Sequence, residues 1–295
     1  MADADVRSNF HEGELAVQRR AGVEGEAAGL ARMLAPAELH GGFVRFLAGR
    51  AFAALTARDG EGRLWISPLG GAPGFIDVTS PTSVRIHATP GAGDPLRGLS
   101  AAQPVGLLAI EFAARARVRL NGELVEASAD GLRIDVAQAY GNCPKYIHRR
   151  QLEAAASTSE DEPVRRGDAL AADDVELIRR AGTFLIGTTH PTRGSDASHR
   201  GGAPGFVQWD GETLAWRDYP GNNLFNTFGN LAVDPAAALL FPDFATGRTL
   251  QLSGTAAVEW TGRDETDEFD TGRRVRFRPG AVVSGRLLRV CEPAR

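Results

Sequence analysis

Short apolar runs alternate along the chain with clusters of glycine, proline, asparagine and aspartate, a pattern typical of β-strands joined by tight turns. In the N-terminal half, apolar or alternating segments predict strands at 51–57, 63–67, 105–112, 115–120, 123–127 and 131–136. In the C-terminal half they predict strands at 183–189, 206–209, 213–216, 237–241 and 248–260. Between two of the N-terminal segments, Asn121 and Gly122 form a dipeptide that strongly favours a two-residue hairpin turn.

Helical periodicity is confined to short segments. Apolar positions recur at helical spacing over 11–22 and 37–47, and Asp173 and Asp174 precede a third such segment, 175–180, as capping residues. Long antiparallel meanders with few helices imply a small closed or half-closed barrel. The sequence therefore predicts a mainly β fold, a β-barrel with flanking short helices.

The chain also contains an internal repeat. The hexapeptide GGAPGF occurs at 70–75 and again at 201–206, and its flanks repeat as well: 51–56 align with 183–188, and 106–112 with 238–244. Flanks that keep their order indicate a duplicated unit. We therefore predict an N-terminal helical segment at 1–36, a first barrel at 37–153, a connector at 154–172 and a second barrel at 173–295.

Composition narrows the class of protein. The length of 295 residues, 43% of them apolar, is enough for two cores. A net charge of −4 without a basic cluster argues against a nucleic-acid partner. Acidic residues near the N-terminus and the lack of a long apolar run predict a cytoplasmic protein without a membrane partner. Two distant cysteines, and histidines without metal-ligand spacing, predict neither a disulfide framework nor a metal site.

A polar segment at 218–230 is present in the second copy and has no counterpart in the first. Five of its polar residues fall on about one face of a turn or short helix: Asn222, Asn223, Asn226, Thr227 and Asn230. The start of a helix lined with uncharged donors is a favourable place for an anion. The alternative is that these residues only cap the helix and form turns.

A second candidate region, 193–200, directly precedes the second hexapeptide. Arginine, serine and histidine side chains converge there on a glycine-rich strand, which a ligand can approach closely. A solvated loop is the alternative. His199 is a candidate general base or hydrogen-bond donor. The chain has no G-x-S-x-G elbow, and the spacing of Asp196, Ser198 and His199 is too short for a hydrolase triad. It has no phosphate-binding P-loop and no dinucleotide fingerprint either.

Several of these runs together resemble the pyridoxamine 5′-phosphate oxidase-like, FMN-binding split-barrel family. They are SPLGGAPGFI at 67–76, GGAPGFV at 201–207, YPGNN at 219–223, NTFGNL at 226–231, QAYGNCPKYI at 138–147 and FHEGE at 10–14. The resemblance covers most of residues 10–260. It implies a six-stranded split barrel that binds FMN between the two barrels of a dimer, so that here the two copies would form that pair within one chain.

The resemblance also implies a cofactor site. Matched onto this chain, the FMN phosphate would be held by Ser198 and Arg200 on the strand and by Asn222, Asn223, Asn226 and Thr227 at the helix start. The first copy departs from the pattern, because DPLRGL at 94–99 replaces the asparagine-rich segment. Lys145, the only lysine, would reach the flavin or a substrate anion, or would be a solvated surface charge.

The expected function is that of an FMN-dependent oxidoreductase acting on a small molecule, with His199 and Lys145 as catalytic candidates. One alternative is a non-catalytic protein that binds or senses a flavin nucleotide. Another keeps the fold but binds haem or a deazaflavin, and for haem His87, His148 and His199 are the candidate axial ligands. The expected partners are the flavin nucleotide and an unknown small-molecule substrate, and the expected assembly is a monomeric pseudo-dimer or a homodimer.

Overall fold

The computed structural model describes residues 9–154 and 163–293. Its helices are short: α1 is Glu12–Ala21, α2 Glu24–Leu30, α3 Gly42–Ala48, α4 Ala172–Arg180 and α5 Asn226–Val233, and a 3₁₀ turn covers Ala31–Leu34. Helix α1 begins with a capping box, in which the Glu14 side chain accepts the backbone N–H of His11 while the His11 ring accepts that of Gly13. It ends at Gly22, which has left-handed φ. The helix predicted at 11–22 is therefore confirmed.

Seven strands form the first sheet. They are β1 Phe52–Arg58, β2 Leu64–Gly70, β3 Ile76–Ser80, β4 Ser83–Ile86, β5 Gln103–Glu111, β6 Ala116–Ser128 and β7 Gly131–Gly141. All neighbours are antiparallel, in the order β2-β1-β5-β6-β7-β4-β3. Two short strands follow, β8 Glu153–Ala154 and β9 Arg165–Gly167.

The second sheet repeats the first. Its strands are β10 Thr183–His190, β11 Gly194–Gly201, β12 Val207–Trp209, β13 Leu214–Arg217, β14 Ala236–Asp243, β15 Arg248–Trp260 and β16 Arg273–Gly285, and β17 Val290–Cys291 pairs with β8. The order β11-β10-β14-β15-β16-β13-β12 matches that of the first sheet strand for strand. The mainly β fold with two tandem barrels is confirmed, with seven strands in each repeat rather than the six that the resemblance implied.

The repeated hexapeptide makes the same turn in both barrels. After β2, Gly74 has a φ of +97°, and Phe75 lies against the backbone of Gly71, where a Cβ would approach the Phe75 Cβ to 2.7 Å. After β11, Gly205 has a φ of +87°, and Phe206 lies in the same way against Gly202. The glycines are required because a side chain would fill the space that the phenylalanine occupies.

The predicted strands omit β3 and β4 and also differ from the structure at two bulges. Asn121 and Gly122 do not form a hairpin turn: they lie within β6 at a bulge, where β7 approaches so closely that a Cβ on Gly122 would be 2.1 Å from the Asp135 carbonyl oxygen. Strand β16 was missed, because Pro279 and Gly280 break its pattern. These two residues lie at the equivalent bulge, opposite Ser253 and Gly254 of β15.

The structure describes only part of the predicted connector at 154–172. Residues 155–162 lie outside the described part of the chain, and within the rest β9 pairs with β16 of the second barrel. The boundaries that we predict between the copies stay a prediction.

The two barrels pack through an apolar interface. Strand β2 lies against β14 and β15, and β11 lies against β5 and β6 in the reciprocal arrangement. The buried side chains between them come from both barrels and include Phe52, Phe112 and Phe244, whose rings meet edge to face or tilted. None of the helices within 9–154 and 163–293 has the length and apolar content that a membrane span needs.

Candidate functional site

Two adjoining cavities lie where β6 of the first barrel faces β11 and the segment 218–228 of the second. The first has a volume of about 510 Å³, and we call it the Asn226 cavity. Besides Asn226, its lining includes Thr227, Tyr140 and Arg273. The second, of about 620 Å³, is the Cys143 cavity. The two share Arg119, Arg200, Asp218, Tyr219, Gly221 and Asn222 as lining residues.

The lining is strongly cationic. Among the described residues it contains six basic side chains, Arg117, Arg119, Lys145, Arg200, Arg217 and Arg273, against one carboxylate, Asp218. Asp218 accepts a hydrogen bond from Nε of Arg273 at 2.8 Å, and Arg217 pairs with Asp267 at 2.8 Å. Arg119 is also paired, with Asp196. Arg117, Lys145 and Arg200 are therefore the lining cations that make no ion pair among the described residues.

Two arginines from different barrels meet at one serine. Oγ of Ser198 accepts hydrogen bonds from Arg119 of β6 and, at 2.6 Å, from Nη1 of Arg200. Arg119 also pairs with Asp196, 3.4 Å away, and donates to the Tyr140 hydroxyl at 3.4 Å. Ser198 is fully buried and is not among the residues that line the cavities. It fixes both guanidinium groups, which themselves form the cavity wall.

Burial and neighbouring arginines destabilise the charges on Arg117 and Arg200, whereas, against the effect of burial, Asp196 raises the pKa of Arg119. Burial, with the neighbouring Arg119 and Arg200, lowers the pKa of Arg117 to about 9. Burial, with Arg119, lowers the pKa of Arg200 to about 10. Guanidinium groups keep their charge at these values, so the low pKa values mean that the cations lack sufficient counter-charge. A bound anion would supply it.

The asparagine-rich segment forms one wall of the Asn226 cavity. Phe225 has left-handed φ, so α5 starts only at Asn226, and Asn222 and Asn223 precede the helix. Oδ1 of Asn222 accepts from the Leu224 N–H, and the amide of Asn223 donates to Glu26 at 2.7 Å. The expectation that Asn230 shares this face was wrong, because its amide donates to Thr188 and it does not line either cavity.

Two buried polar atoms on this wall have no partner. Oδ1 of Asn226 and Oγ1 of Thr227 make no hydrogen bond within the described part of the chain, although their residues line the cavity. Buried polar atoms are rarely left unpaired in folded proteins, since each costs roughly 1–3 kcal/mol. These two atoms are therefore available to a ligand.

Backbone strain concentrates at the same place. Five described non-glycine residues have positive φ, and three of them, Tyr146, Asn223 and Phe225, line the cavities. Residues other than glycine rarely adopt positive φ, and those that do cluster at binding sites. The Tyr146 ring also stacks on that of Tyr219 across the two barrels, with centroids 5.2 Å apart.

The internal repeat relates the Asn226 cavity to a second position in the molecule, and side chains fill that position. There Gln251 of β15 stands where β6 has Arg119, Ser67 stands where β11 has Ser198, and Asp94 stands where α5 has Asn226. Nε2 of Gln251 donates to Ser67 Oγ at 3.0 Å and to Asp94 Oδ2 at 3.1 Å, and Ser67 donates to Asp94 Oδ1 at 2.6 Å. All three are buried, and burial raises the pKa of Asp94 to about 6. A carboxylate of the chain thus occupies the position that faces the open cavity in the other half.

A family model for pyridoxamine 5′-phosphate oxidase matches residues 170–283, which run from just before α4 into β16 and so cover the second barrel. Over these residues, the second barrel is similar to the pyridoxamine 5′-phosphate oxidase family. The first split barrel has the same strand order as the second.

Solved structures with a similar fold include a putative pyridoxamine 5′-phosphate oxidase from Lactobacillus delbrueckii, with 15% identity over 39% of this chain and 94% of that one and a TM-score of 0.32. A second is the heme storage protein HutZ from Vibrio cholerae, with 12% identity over 38% of this chain and 92% of that one and a TM-score of 0.29. A third is an FAD binding protein from Mycobacterium smegmatis, with 16% identity over 42% of this chain and 98% of that one and a TM-score of 0.28. No curated protein matches the chain.

The split barrels bring the two catalytic candidates to the Cys143 cavity, where both Lys145 and His199 are lining residues. Nδ1 of His199 lies 2.9 Å from Nη1 of Arg117, and Nε2 lies 3.4 Å from Thr183 Oγ1. Burial, with Arg117, holds the pKa of His199 well below its usual value, so the ring is neutral. Nδ1 then accepts from Arg117 and Nε2 donates to Thr183. This fixes the tautomer and leaves no ring nitrogen for a substrate.

The other histidines considered as haem ligands lie elsewhere. His87 is exposed, and Nε2 of His148 lies 2.8 Å from the Gly202 carbonyl oxygen, to which it donates. Neither is among the described residues that line the two cavities. His199, which does line one, has both nitrogens engaged.

A histidine pair that does not line either cavity has a metal-like arrangement. One nitrogen each of His11 and His190 and a carboxylate oxygen of Glu12 lie within 4.8 Å of one another. Nδ1 of His11 accepts from the Gly13 N–H, and Nδ1 of His190 accepts from the Thr192 and Arg193 N–H groups. Both Nε2 atoms therefore carry the proton in the neutral rings, and His190 donates its own to Glu12 at 3.1 Å. This tautomer does not suit metal coordination.

Sequence reasoning found Lys145 of the first split barrel but missed other lining residues that this barrel contributes. Arg117, Arg119 and Tyr140 come from β6 and β7 of that barrel, and Arg273 from the unpredicted β16. A signal existed, because arginines at 115, 117 and 119 alternate along a strand that should be half-buried. Cationic side chains on such a face indicate a partner of opposite charge.

Proposed function

We propose that this protein binds one FMN per chain in the Asn226 and Cys143 cavities. The observation that carries the proposal is the junction of Arg119, Arg200 and Ser198, which presents two fixed guanidinium groups from both barrels to a polar cavity. Paired guanidinium groups suit the planar, multidentate recognition of a phosphate. A phosphate monoester carries about −1.5 to −2 charges at neutral pH, which would offset the uncompensated arginines.

The remaining lining suits the rest of a flavin nucleotide. The Cys143 cavity contains the aromatic side chains of Phe206, Trp216 and Tyr219, against which a planar ring system would pack. The unpaired Thr227 hydroxyl and the cavity-facing arm of the Asn226 amide would meet polar groups of the ligand. Bound FMN would supply hydride or electron transfer, while these residues orient it and exclude water.

For a flavin-dependent oxidoreductase, the Cys143 cavity would also admit a small anionic substrate. Arg117 and Lys145 line it together with the Cys143 thiol. We propose that Lys145 contacts the substrate anion and that His199 positions the Arg117 guanidinium. The second candidate function is a non-catalytic flavin-binding protein. It is favoured by the engagement of both His199 ring nitrogens, which leaves that residue unable to move a proton.

An absorbance titration tests the proposal. We expect the purified chain, after incubation with excess FMN and desalting, to retain bands near about 375 and 450 nm, as bound oxidised flavin does. Bound FMN should reach one equivalent per chain in a monomer, because Asp94 and Gln251 fill the repeat-related place. A chain that retains no flavin would contradict the proposal. Bleaching of the flavin by a reductant screen would separate the enzyme from the non-catalytic binder.

The single lysine gives a readout of where the ligand binds. Lys145 is exposed and lines the Cys143 cavity. We expect saturating FMN to slow reductive methylation of the Lys145 amine severalfold, as followed by peptide mass spectrometry. The α-amino group of the same chain is the internal control and should react at an unchanged rate. Equal slowing of both amines would show that the effect does not arise at this cavity.

A further inference from the structure

The Asn226 side chain lies between the cavity and a buried acid. Glu14 of α1 is 1% exposed; its Oε1 accepts from Nδ2 of Asn226 at 3.0 Å, and its Oε2 accepts from the backbone N–H of His11 at 2.9 Å. The other arm of the Asn226 amide, Oδ1, is buried and has no partner in the described part of the chain. Asn226 is thus anchored on its nitrogen side and free on its oxygen side.

The charge on Glu14 dictates which arm of the amide faces the cavity. An ionised carboxylate only accepts hydrogen bonds, so it must face the NH₂ group, and Asn226 then presents an acceptor oxygen to the ligand. A protonated carboxyl has one donor. Because Oε2 continues to accept from the His11 N–H, the proton belongs on Oε1, which would donate to Oδ1 once the amide has turned over. The NH₂ group would then face the cavity as a donor.

Charged groups surround Glu14 on several elements. His11 precedes it in the same capping box, Asp196 and Arg193 approach from β11 and the turn before it, and Arg119 and Tyr140 approach from β6 and β7. Burial, with Asp196, raises the pKa of Glu14 to about 7, against the opposing hydrogen bonds from His11 and Asn226. Burial, with His190, lowers the pKa of His11 to about 4, so that His11 is neutral where Glu14 titrates.

We propose that Glu14 and Asn226 form a proton-dependent specificity element: with Glu14 protonated the amide offers N–H donors to an anionic ligand, and with Glu14 ionised it offers an oxygen that disfavours one. Glu14 is a positioning residue that acts through Asn226. The inference rests on the proposed function, in which a phosphate-bearing flavin occupies this cavity. It follows that FMN binding takes up a proton near neutral pH and weakens as the pH rises above it.

The test compares FMN affinity in the wild type and in E14Q. The introduced glutamine keeps an oxygen for the His11 N–H and places an NH₂ group against Asn226, so it imitates the protonated carboxyl, and glutamine is as suitable as glutamate in a capping box. We expect equal Kd values at pH 6 and about tenfold tighter binding by E14Q at pH 8, because a group titrating near 7 is then about nine-tenths ionised. The ionisation of the FMN phosphate itself is common to both proteins and cancels in the ratio.

The variant N226A separates the amide from simple loss of charge. If the element acts through Asn226, the tenfold advantage of E14Q at pH 8 should disappear in the N226A background. An advantage that persists there, or a ratio that does not change with pH, would overturn the element. If neither the wild type nor any variant binds FMN, the proposed function fails. The same titration with inorganic phosphate then tests separately the element formed by Glu14 and Asn226. The element stands if the ratio of phosphate affinities between E14Q and the wild type changes with pH, and it is overturned if the ratio does not.

Discussion

Replacing Arg119 by glutamine is expected to weaken FMN binding at least a hundredfold, about 2.7 kcal/mol. Arg119 is the guanidinium that the first barrel contributes to the junction at Ser198, and charge-assisted hydrogen bonds to a phosphate are the strongest contacts that this cavity offers. Glutamine is the residue that the fold already carries at the repeat-related position, 251, so the substitution is compatible with the strand. Equilibrium titration followed by flavin fluorescence measures the effect.

Two further variants make the result interpretable. R133Q removes the same charge from a half-buried position on β7 of the same sheet. It should leave the Kd within about twofold, since Arg133 does not line either cavity and partly exposed ion pairs contribute little. The double variant R119Q/D196N avoids leaving the buried Asp196 carboxylate without its partner. If R119Q and this double variant both bind FMN like the wild type, the phosphate does not bind at the Ser198 junction.

Replacing Gly13 by alanine is expected to destabilise the protein by about 3 kcal/mol, the upper end of the usual cost of overpacking. Helices α1 and α5 cross at Gly13 and Gly229, and a Cβ on Gly13 would lie 2.1 Å from the Gly229 carbonyl oxygen. The helices would have to separate, which would also pull Glu14 away from Asn226. Chemical denaturation measures the loss, and FMN affinity should fall with it.

Gly25 is the matched control for this substitution. It lies in α2, in the same N-terminal segment, with nothing within 4 Å of its Cβ position. Alanine there should stabilise the protein by roughly 0.5–1 kcal/mol through helix propensity. A G13A protein with wild-type stability would mean that the two helices do not cross in contact.

The fold was predictable because its signals are local. The duplicated hexapeptide requires glycine at the same turns in both barrels, and the amphipathic pattern before Gly22 ends at its left-handed cap. The failures were local as well. Gly122 and Gly280 indicated turns or breaks, whereas both lie at bulges, where the facing strand comes too close to Gly122 and Gly254 for a side chain. A glycine in the sequence does not show which of these backbone requirements it meets.

Apart from Lys145, the site was predictable from the second barrel only. Arg200, Asn226 and Thr227 came from the second barrel, where motif and strand lie close together in sequence. Arg119 contacts Ser198 across 79 positions of sequence and from the other barrel, and a contact of that kind depends on how the barrels dock. The orientation of the Asn226 amide depends on Glu14, 212 positions away, and was equally invisible.

The Asp94 carboxylate has a consequence for how the protein is assembled. A barrel pair with arginine clusters on both sides would have to bring like charges together twice, and each side would close readily only around an anion from solution. Here one side already carries its own negative group, held by Ser67 and Gln251. We therefore expect the newly made chain to dock its barrels along that edge before any cofactor arrives. Maturation would then consist of loading a single nucleotide into an already assembled apoprotein.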